Sequence, residues 1–96
     1  MELETQNPLY SEEAERSVLG AMLISDEAIP LVTRVLTAAD FYKERHQWLF
    51  EILVDLDNRK EPITTVKIID SLEAKGKLEE FGIGYLMDLA NAVQSH

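Results

Sequence analysis

Two histidines, eighteen carboxylates and a pair of closely spaced glycines are the residues of this chain whose types could do chemistry. His46 stands inside "ERHQWLF" and His96 is the last residue, and neither has a second ligand at helical spacing, so together they offer no metal site. The stretch "FGIGY", with Gly82 and Gly84, could suggest a phosphate turn. The remaining glycines and the following lysine of a phosphate loop are missing, and no GxxxxGK[ST] run occurs anywhere, so a plain helix–helix turn is the better reading. Hydrolysis or transfer would need a nucleophile beside a base, or paired carboxylates in a cleft. The sequence shows neither, and solvated helix faces account for nearly all of its Asp and Glu. No enzyme is read here.

The acids outnumber the bases by eighteen to nine, a net charge of −9. Nucleic-acid binding relies on clustered Lys and Arg that displace counterions from phosphates. Here the bases are scattered, and the closest pairs, Lys43 with Arg45 and Arg59 with Lys60, sit beside acids. Direct nucleic-acid binding is therefore not expected. An acidic surface suits basic protein partners, or serves solubility alone. No apolar run approaches the ~20 residues of a membrane span, and "MELETQNPLY" lacks the layout of a signal peptide. With no cysteine, disulfides are excluded and a reducing cytosol fits. The expectation is a cytoplasmic protein without membrane contact.

These residues must be positioned by the elements of a single domain, since 96 residues make no more than one. Residues 1–10 read as a flexible lead-in and residues 11–96 as the folded part. Ser11 suits a helix N-cap, and Glu12, Glu13 and Glu15 place negative charge where the helix dipole favours it. Ala14, Val18, Leu19, Ala21, Met22 and Leu23 give that helix a broad apolar face. A second, short helix carries Ile29, Val32, Val35 and Leu36, tolerates Pro30 near its start if Asp26 or Glu27 caps it, and ends near Thr37. Phe41 and Tyr42 lead into the longest helix, from about Lys43 to Asn58, with Arg45, Trp48, Leu49, Ile52, Leu53 and Leu56 at helical spacing. Pro62 closes that segment. Thr64 caps a fourth helix with Val66, Ile69 and Leu72 as its stripe and Ile68 flanking. Gly76 suits a left-handed stop. Gly82 and Gly84 bracket a turn into a last amphipathic helix with Tyr85, Leu86, Leu89, Ala90 and Val93. No window alternates long enough for a strand. The expected fold is all-α, a compact bundle of about five short helices that bury their stripes against one another.

Gly20 interrupts the first helix, where glycine costs about 1 kcal/mol relative to alanine. Either it faces a neighbouring helix, the long one near Trp48 or Leu49, and lets the backbones approach, or it is an exposed glycine tolerated at small cost.

Three blocks then narrow the field. "PLYSEEAERSVLGAML" carries Ser11, Glu13, Ala14, Glu15, Val18, Leu19 and Gly20; the second block has Asp40, Phe41, Tyr42, His46, Leu49 and Phe50; the third has Pro62, Leu72, Leu78, Glu79, Gly82, Tyr85, Leu86 and Leu89. In this order and spacing, from Pro8 to Val93, the chain resembles the N-terminal domain of DnaB-type replicative DNA helicases. It departs from the common pattern where Ile83 follows Gly82 in a segment one residue shorter, and where Thr64 stands for an Asp. The surface around Tyr85 is therefore expected to diverge, as in a phage-encoded or plasmid-encoded relative.

The resemblance implies a non-catalytic collar domain. In such helicases a RecA-like ATPase ring, with its ATP and Mg, translocates on DNA, while the N-terminal domains assemble the collar and dock primase. On this reading the present chain lacks the hairpin, linker and ATPase domain that follow, and holds no cofactor or metal itself. Its implied partners are the primase C-terminal domain, sibling subunits of a hexamer and a helicase loader. Its setting is the bacterial cytosol, or a host cytosol for a phage protein. Tyr85, with Leu86 and Leu89, would contact the partner, because the family's Tyr-Leu pair lies in a primase-docking region; a half-buried core tyrosine is the alternative. Trp48 and Phe50 are core or self-association surface. Gly20, Phe41, Tyr42 and His46 are structural, His46 through a hydrogen bond inside the bundle. The runner-up reading is a free-standing helical adaptor that binds replication proteins.

Overall fold

The protein is described by a computed structural model covering residues 11–94, with side chains through Asn91. The lead-in expected over residues 1–10, the side chain of Val93 and His96 lie outside the described residues. Six helices run in order, α1 (Glu12–Ile24), α2 (Ala28–Thr33), α3 (Glu44–Asn58), α4 (Thr65–Ala74), α5 (Leu78–Phe81) and α6 (Ile83–Gln94), with a 3₁₀ turn over Ala38–Asp40. No strand occurs among the described residues. The fold is all-α, as expected, with one helix more than the sequence suggested.

Local chemistry sets most of the boundaries. Ser11 Oγ accepts the Ala14 N–H at 3.0 Å and Thr64 Oγ1 accepts the Lys67 N–H at 3.1 Å, each filling an orphan donor of a first turn. Helices α3 and α4 end alike. After α4, Gly76 turns left-handed with φ 71°, and the Gly76 and Lys77 N–H groups return to Glu73 and Leu72 at 3.0 and 2.8 Å. After α3, Lys60 adopts φ 59°, and the Lys60 and Glu61 N–H groups return to Asp57 and Leu56 at 3.0 and 2.9 Å. Both are Schellman closures, one with the residue that favours the conformation and one without it.

The core is a single cluster. Helix α3 runs through it, touching α1, α2, α4 and the 3₁₀ turn, while α1 packs most extensively against α6. Leu19, Met22, Ile29, Phe41, Leu49, Ile52, Leu53, Leu56, Ile68, Leu72, Phe81 and Leu89 are almost completely buried.

Several sequence expectations are corrected. Helix α2 stops at Thr33, not Thr37, so Val35 falls in the following turn and is 71% exposed, although Leu36 still reaches the core. On α4 Leu72 is buried and Ile69 packs half-buried against the core as expected, but the flanking Ile68 is the second fully buried position. Val66, in the first turn, is 66% exposed, so the stripe centres on Ile68 and Leu72, one turn apart. Gly82 alone makes the last turn, with φ 89°, and Gly84 lies within the first turn of α6. The block Asp40-Phe41-Tyr42 splits into three roles. Asp40 Oδ2 accepts the Thr37 N–H at 2.8 Å, Phe41 is buried with its ring 5.0 Å from that of Phe50, and Tyr42 is 86% exposed rather than core. The chain turns into α3 between these neighbours, which sends Phe41 inward and Tyr42 out.

Gly20 is buried. It lies four residues after Arg16, whose guanidinium is 5.8 Å from the Tyr85 ring of α6, and three before Leu23, which shares a cleft with Leu86 and Ala90 of α6. Helical spacing therefore puts Gly20 opposite α6 rather than beside Trp48 or Leu49 of α3, since Glu15 takes the side toward α3.

Candidate functional site

The residues with chemical potential converge where α1, α3 and α6 meet, and the first of them is an acid. Glu15 occupies the first turn of α1 but is 1% exposed. It lies in register with Leu19 and Met22, one and two turns on, so the buried face of the helix carries it inward. A buried carboxylate is tolerable only when its lone pairs are filled. The Tyr42 N–H donates to Oε2 at 2.6 Å, the Lys43 N–H approaches Oε1 at 3.4 Å, and His46 Nδ1 lies 2.7 Å from Oε1.

The partners fix the tautomer of His46. A carboxylate that accepts two backbone N–H groups has only acceptors to offer, so Nδ1–H donates to Glu15. Nε2 then faces Tyr85, whose hydroxyl is hydrogen-bonded to it. His46 has no exposed surface, and its ring lies end to end with that of Tyr85, the two planes 18° apart. No described buried side-chain nitrogen or oxygen is left without a partner. The result is a closed chain of carboxylate, imidazole and phenol across three helices.

Tyr85 is the one member that reaches the surface. Arg45 stacks on its ring with the guanidinium carbon 3.6 Å from the centroid, and Nη1 of the same residue donates to the Phe81 carbonyl at 3.1 Å. Phe81 meets the ring edge-on at 5.6 Å, and Arg16 approaches at 5.8 Å. Burial pushes the Tyr85 phenol above its ordinary range, against the opposing pull of Arg45 and Arg16. Gln47 completes the frame by donating to the Phe41 carbonyl at 2.7 Å, which holds the turn before α3.

A carboxylate–imidazole–hydroxyl order is also that of nucleophilic catalysis, so its accessibility matters. Here the acid and the imidazole are sealed in the core, and the hydroxyl turns inward to the imidazole. Among the described residues no group of three or more His, Asp or Glu side chains converges as metal ligands. The arrangement ties helices together and presents one ring at the surface.

The structure thus brings His46 and Tyr85 together, with the Tyr42 backbone N–H on the same Glu15 carboxylate, and takes the residues expected at partner contacts beside Tyr85 elsewhere. Leu86 and Leu89, expected at a partner contact, are 2% and 1% exposed; they lie on the core side of α6 and have no surface to offer. Phe50 is core, at 4% exposure, while Trp48 is half-buried with the Lys77 ammonium 4.7 Å over its ring. The sequence reading missed Glu15, taken as a dipole-facing acid. The available signal was its register with Leu19 and Met22, an acid inside an apolar stripe.

Fold and site together define a small all-helical domain pinned by a buried polar chain and lacking any helix long and apolar enough to cross a membrane among its described residues. The chain belongs to the DnaB-like helicase N terminal domain family, whose profile matches residues 7–96. It is similar to the replicative DNA helicase DnaC of Bacillus subtilis, 39% identical over 87 residues, and to the replicative DNA helicase DnaB of Geobacillus stearothermophilus, 38% identical over 87 residues. Each match takes in 90% of this chain and 19% of the relative, so the chain spans about a fifth of the length of these helicases. Among solved structures it resembles the N-terminal domain of DnaB helicase from Mycobacterium tuberculosis, with a TM-score of 0.83 and 38% identity over 90% of this chain and 63% of that one.

Proposed function

We propose that this chain is the non-catalytic head of a replicative helicase, acting in collar assembly and in the docking of primase. The observation that supports this best is the family match along residues 7–96, which takes in every element of the polar chain. Nucleotide and Mg binding and movement on DNA belong, in this reading, to an ATPase domain elsewhere in the helicase. Sibling subunits and a loader share the remaining surface, with Trp48 the better self-association candidate because Phe50 is spent on the core.

Docking centres on Tyr85. Its hydroxyl is occupied by His46, so a partner meets the ring edge and the guanidiniums of Arg16 and Arg45, and Tyr and Arg are residue types that dominate binding energy at interfaces. Because the ring is fixed from behind, little side-chain entropy is lost when a partner covers it.

The test is sedimentation velocity of the chain with and without a primase C-terminal domain. A complex is expected, weakened about tenfold or more by Tyr85→Ala, a loss of ~1.4 kcal/mol. Absence of any complex defeats the docking reading. A Tyr85→Ala variant that folds and binds like the wild type removes Tyr85 from it.

A further inference from the structure

We propose that the groove between α4, α5 and α6 is a docking site for a lysine- or arginine-bearing amphipathic helix of another protein. The groove uses no member of the Glu15–His46–Tyr85 chain, and the proposal does not depend on primase being the partner.

The hollow measures about 530 Å³ and is lined by Glu73, Gly76, Leu78, Glu79, Gly82 and Ile83. Its shape comes from two left-handed glycines, Gly76 at φ 71° and Gly82 at φ 89°, which reverse the chain on either side of the one-turn α5. A Cβ at Gly76 would meet nothing within 4 Å, so the space beside it is open. The apolar side is Leu78 and Ile83, and Ile83 is 46% exposed. Met87, one turn along α6 and 39% exposed, extends that strip. Exposed aliphatics in helical register beside a hollow are what an apolar helix face covers.

The acidic side selects the occupant. Some surface acids elsewhere are engaged by cations, in Glu12–Lys43, Asp55–Arg59 and Glu61–Lys67. Glu73 and Glu79 have no ion pair or hydrogen-bonded cation among the described residues. Of the two nearest lysines, Lys77 is committed to the Trp48 ring and Lys75 pairs with neither acid. A helix with aliphatic residues on one face and cations at its flanks satisfies both sides at once. A second copy of this chain is a poor fit, since it brings another −9 to the same carboxylates. An anionic membrane surface is repelled for the same reason.

The test uses a synthetic helix-forming peptide with leucine on one face and lysine on the other, titrated into ¹⁵N-labelled protein and followed by NMR and by fluorescence anisotropy. Shifts are expected at Gly76, Gly82, Ile83 and Met87, with affinity falling as salt rises. The double variant Glu73→Lys/Glu79→Lys should weaken binding by about tenfold or more, and Ile83→Ala, which leaves the charge unchanged, should also weaken it. Glu27→Lys/Glu51→Lys, an equal change of net charge on other surfaces, should leave most of the affinity in place, with thermal melts showing that every variant is folded. Equal losses in the groove and control variants would reduce the effect to net charge and overturn the proposal. It is also overturned by shifts confined to other faces, by a peptide that fails to bind, or by sedimentation showing two copies of the domain joined through this groove.

Discussion

The two halves of α1 are held by different physics. In the first turn Glu15 is gripped by the Tyr42 N–H and by His46, which is in turn bonded to Tyr85. From Leu19 onward the contact is apolar: Leu19 and Met22 are fully buried, and Leu23 lines a cleft with Ile63, Ile68, Leu86 and Ala90. Apolar contact is non-directional and tolerates repacking when volume is kept. A buried polar chain is directional, and removing one member strands the others. The first half therefore fixes the angle and register of α1, α3 and α6, whereas the second supplies apolar burial through Leu19 and Met22.

The sharpest way to break this contrast is Glu15→Ala, which leaves the Tyr42 N–H and the His46 Nδ1–H without their acceptor. A loss of about 3–5 kcal/mol is expected in urea unfolding. The volume-conserving Leu19→Met in the other half should cost less than ~1.5 kcal/mol. Similar small values for both would erase the distinction between the halves. Gly20→Val probes the boundary between them: overpacking against α6 should destabilise by about 1–3 kcal/mol, and a melting temperature at or above the wild type would remove the close-approach role of this glycine.

Smaller effects lie at the helix ends, outside both halves. Gly76→Ala should cost about 1 kcal/mol, and Lys60→Gly should gain a similar amount, because each exchanges the residue at a left-handed position. Equal and opposite shifts in the urea midpoint would confirm that the two closures share one geometry. The smallest effect separates the halves by pH. Burial raises the Tyr85 phenol above its ordinary value of about 10. Folding therefore retains a proton that the unfolded chain gives up, and this contribution is intact below the unfolded value and lost as pH rises through the folded one. Tyr85→Phe should flatten the alkaline decline in stability. A decline of unchanged steepness would assign it to other groups.

Much of the fold was legible from single residues. Ser11, Thr64 and Gly76 act locally, through a hydroxyl or a missing Cβ, and each stands where its type placed it. The long helix was readable because its stripe repeats over four turns. Errors arose where a short pattern admitted two registers: six-residue α2 gave too few repeats to decide Val35, and on α4 the alternation of Val66, Ile68 and Ile69 concealed which face was inside. The site was half legible. His46 and Tyr85 were singled out, but Glu15 has an adequate local explanation at a helix start, and its actual one depends on an imidazole 31 positions away. Leu86 and Leu89 were tied to Tyr85 through the family resemblance; Leu86 turns about 100° away from it, and Leu89, one turn on, follows the inward edge of the same side into the core.

The stacking of Lys77 on Trp48 has a practical consequence. The chain has one indole, and the ammonium poised above it belongs to the turn that joins α4 to α5. Emission from that single fluorophore is thus a built-in, label-free gauge of whether the turn stays seated on α3, and it can be watched while either end of the molecule is loaded.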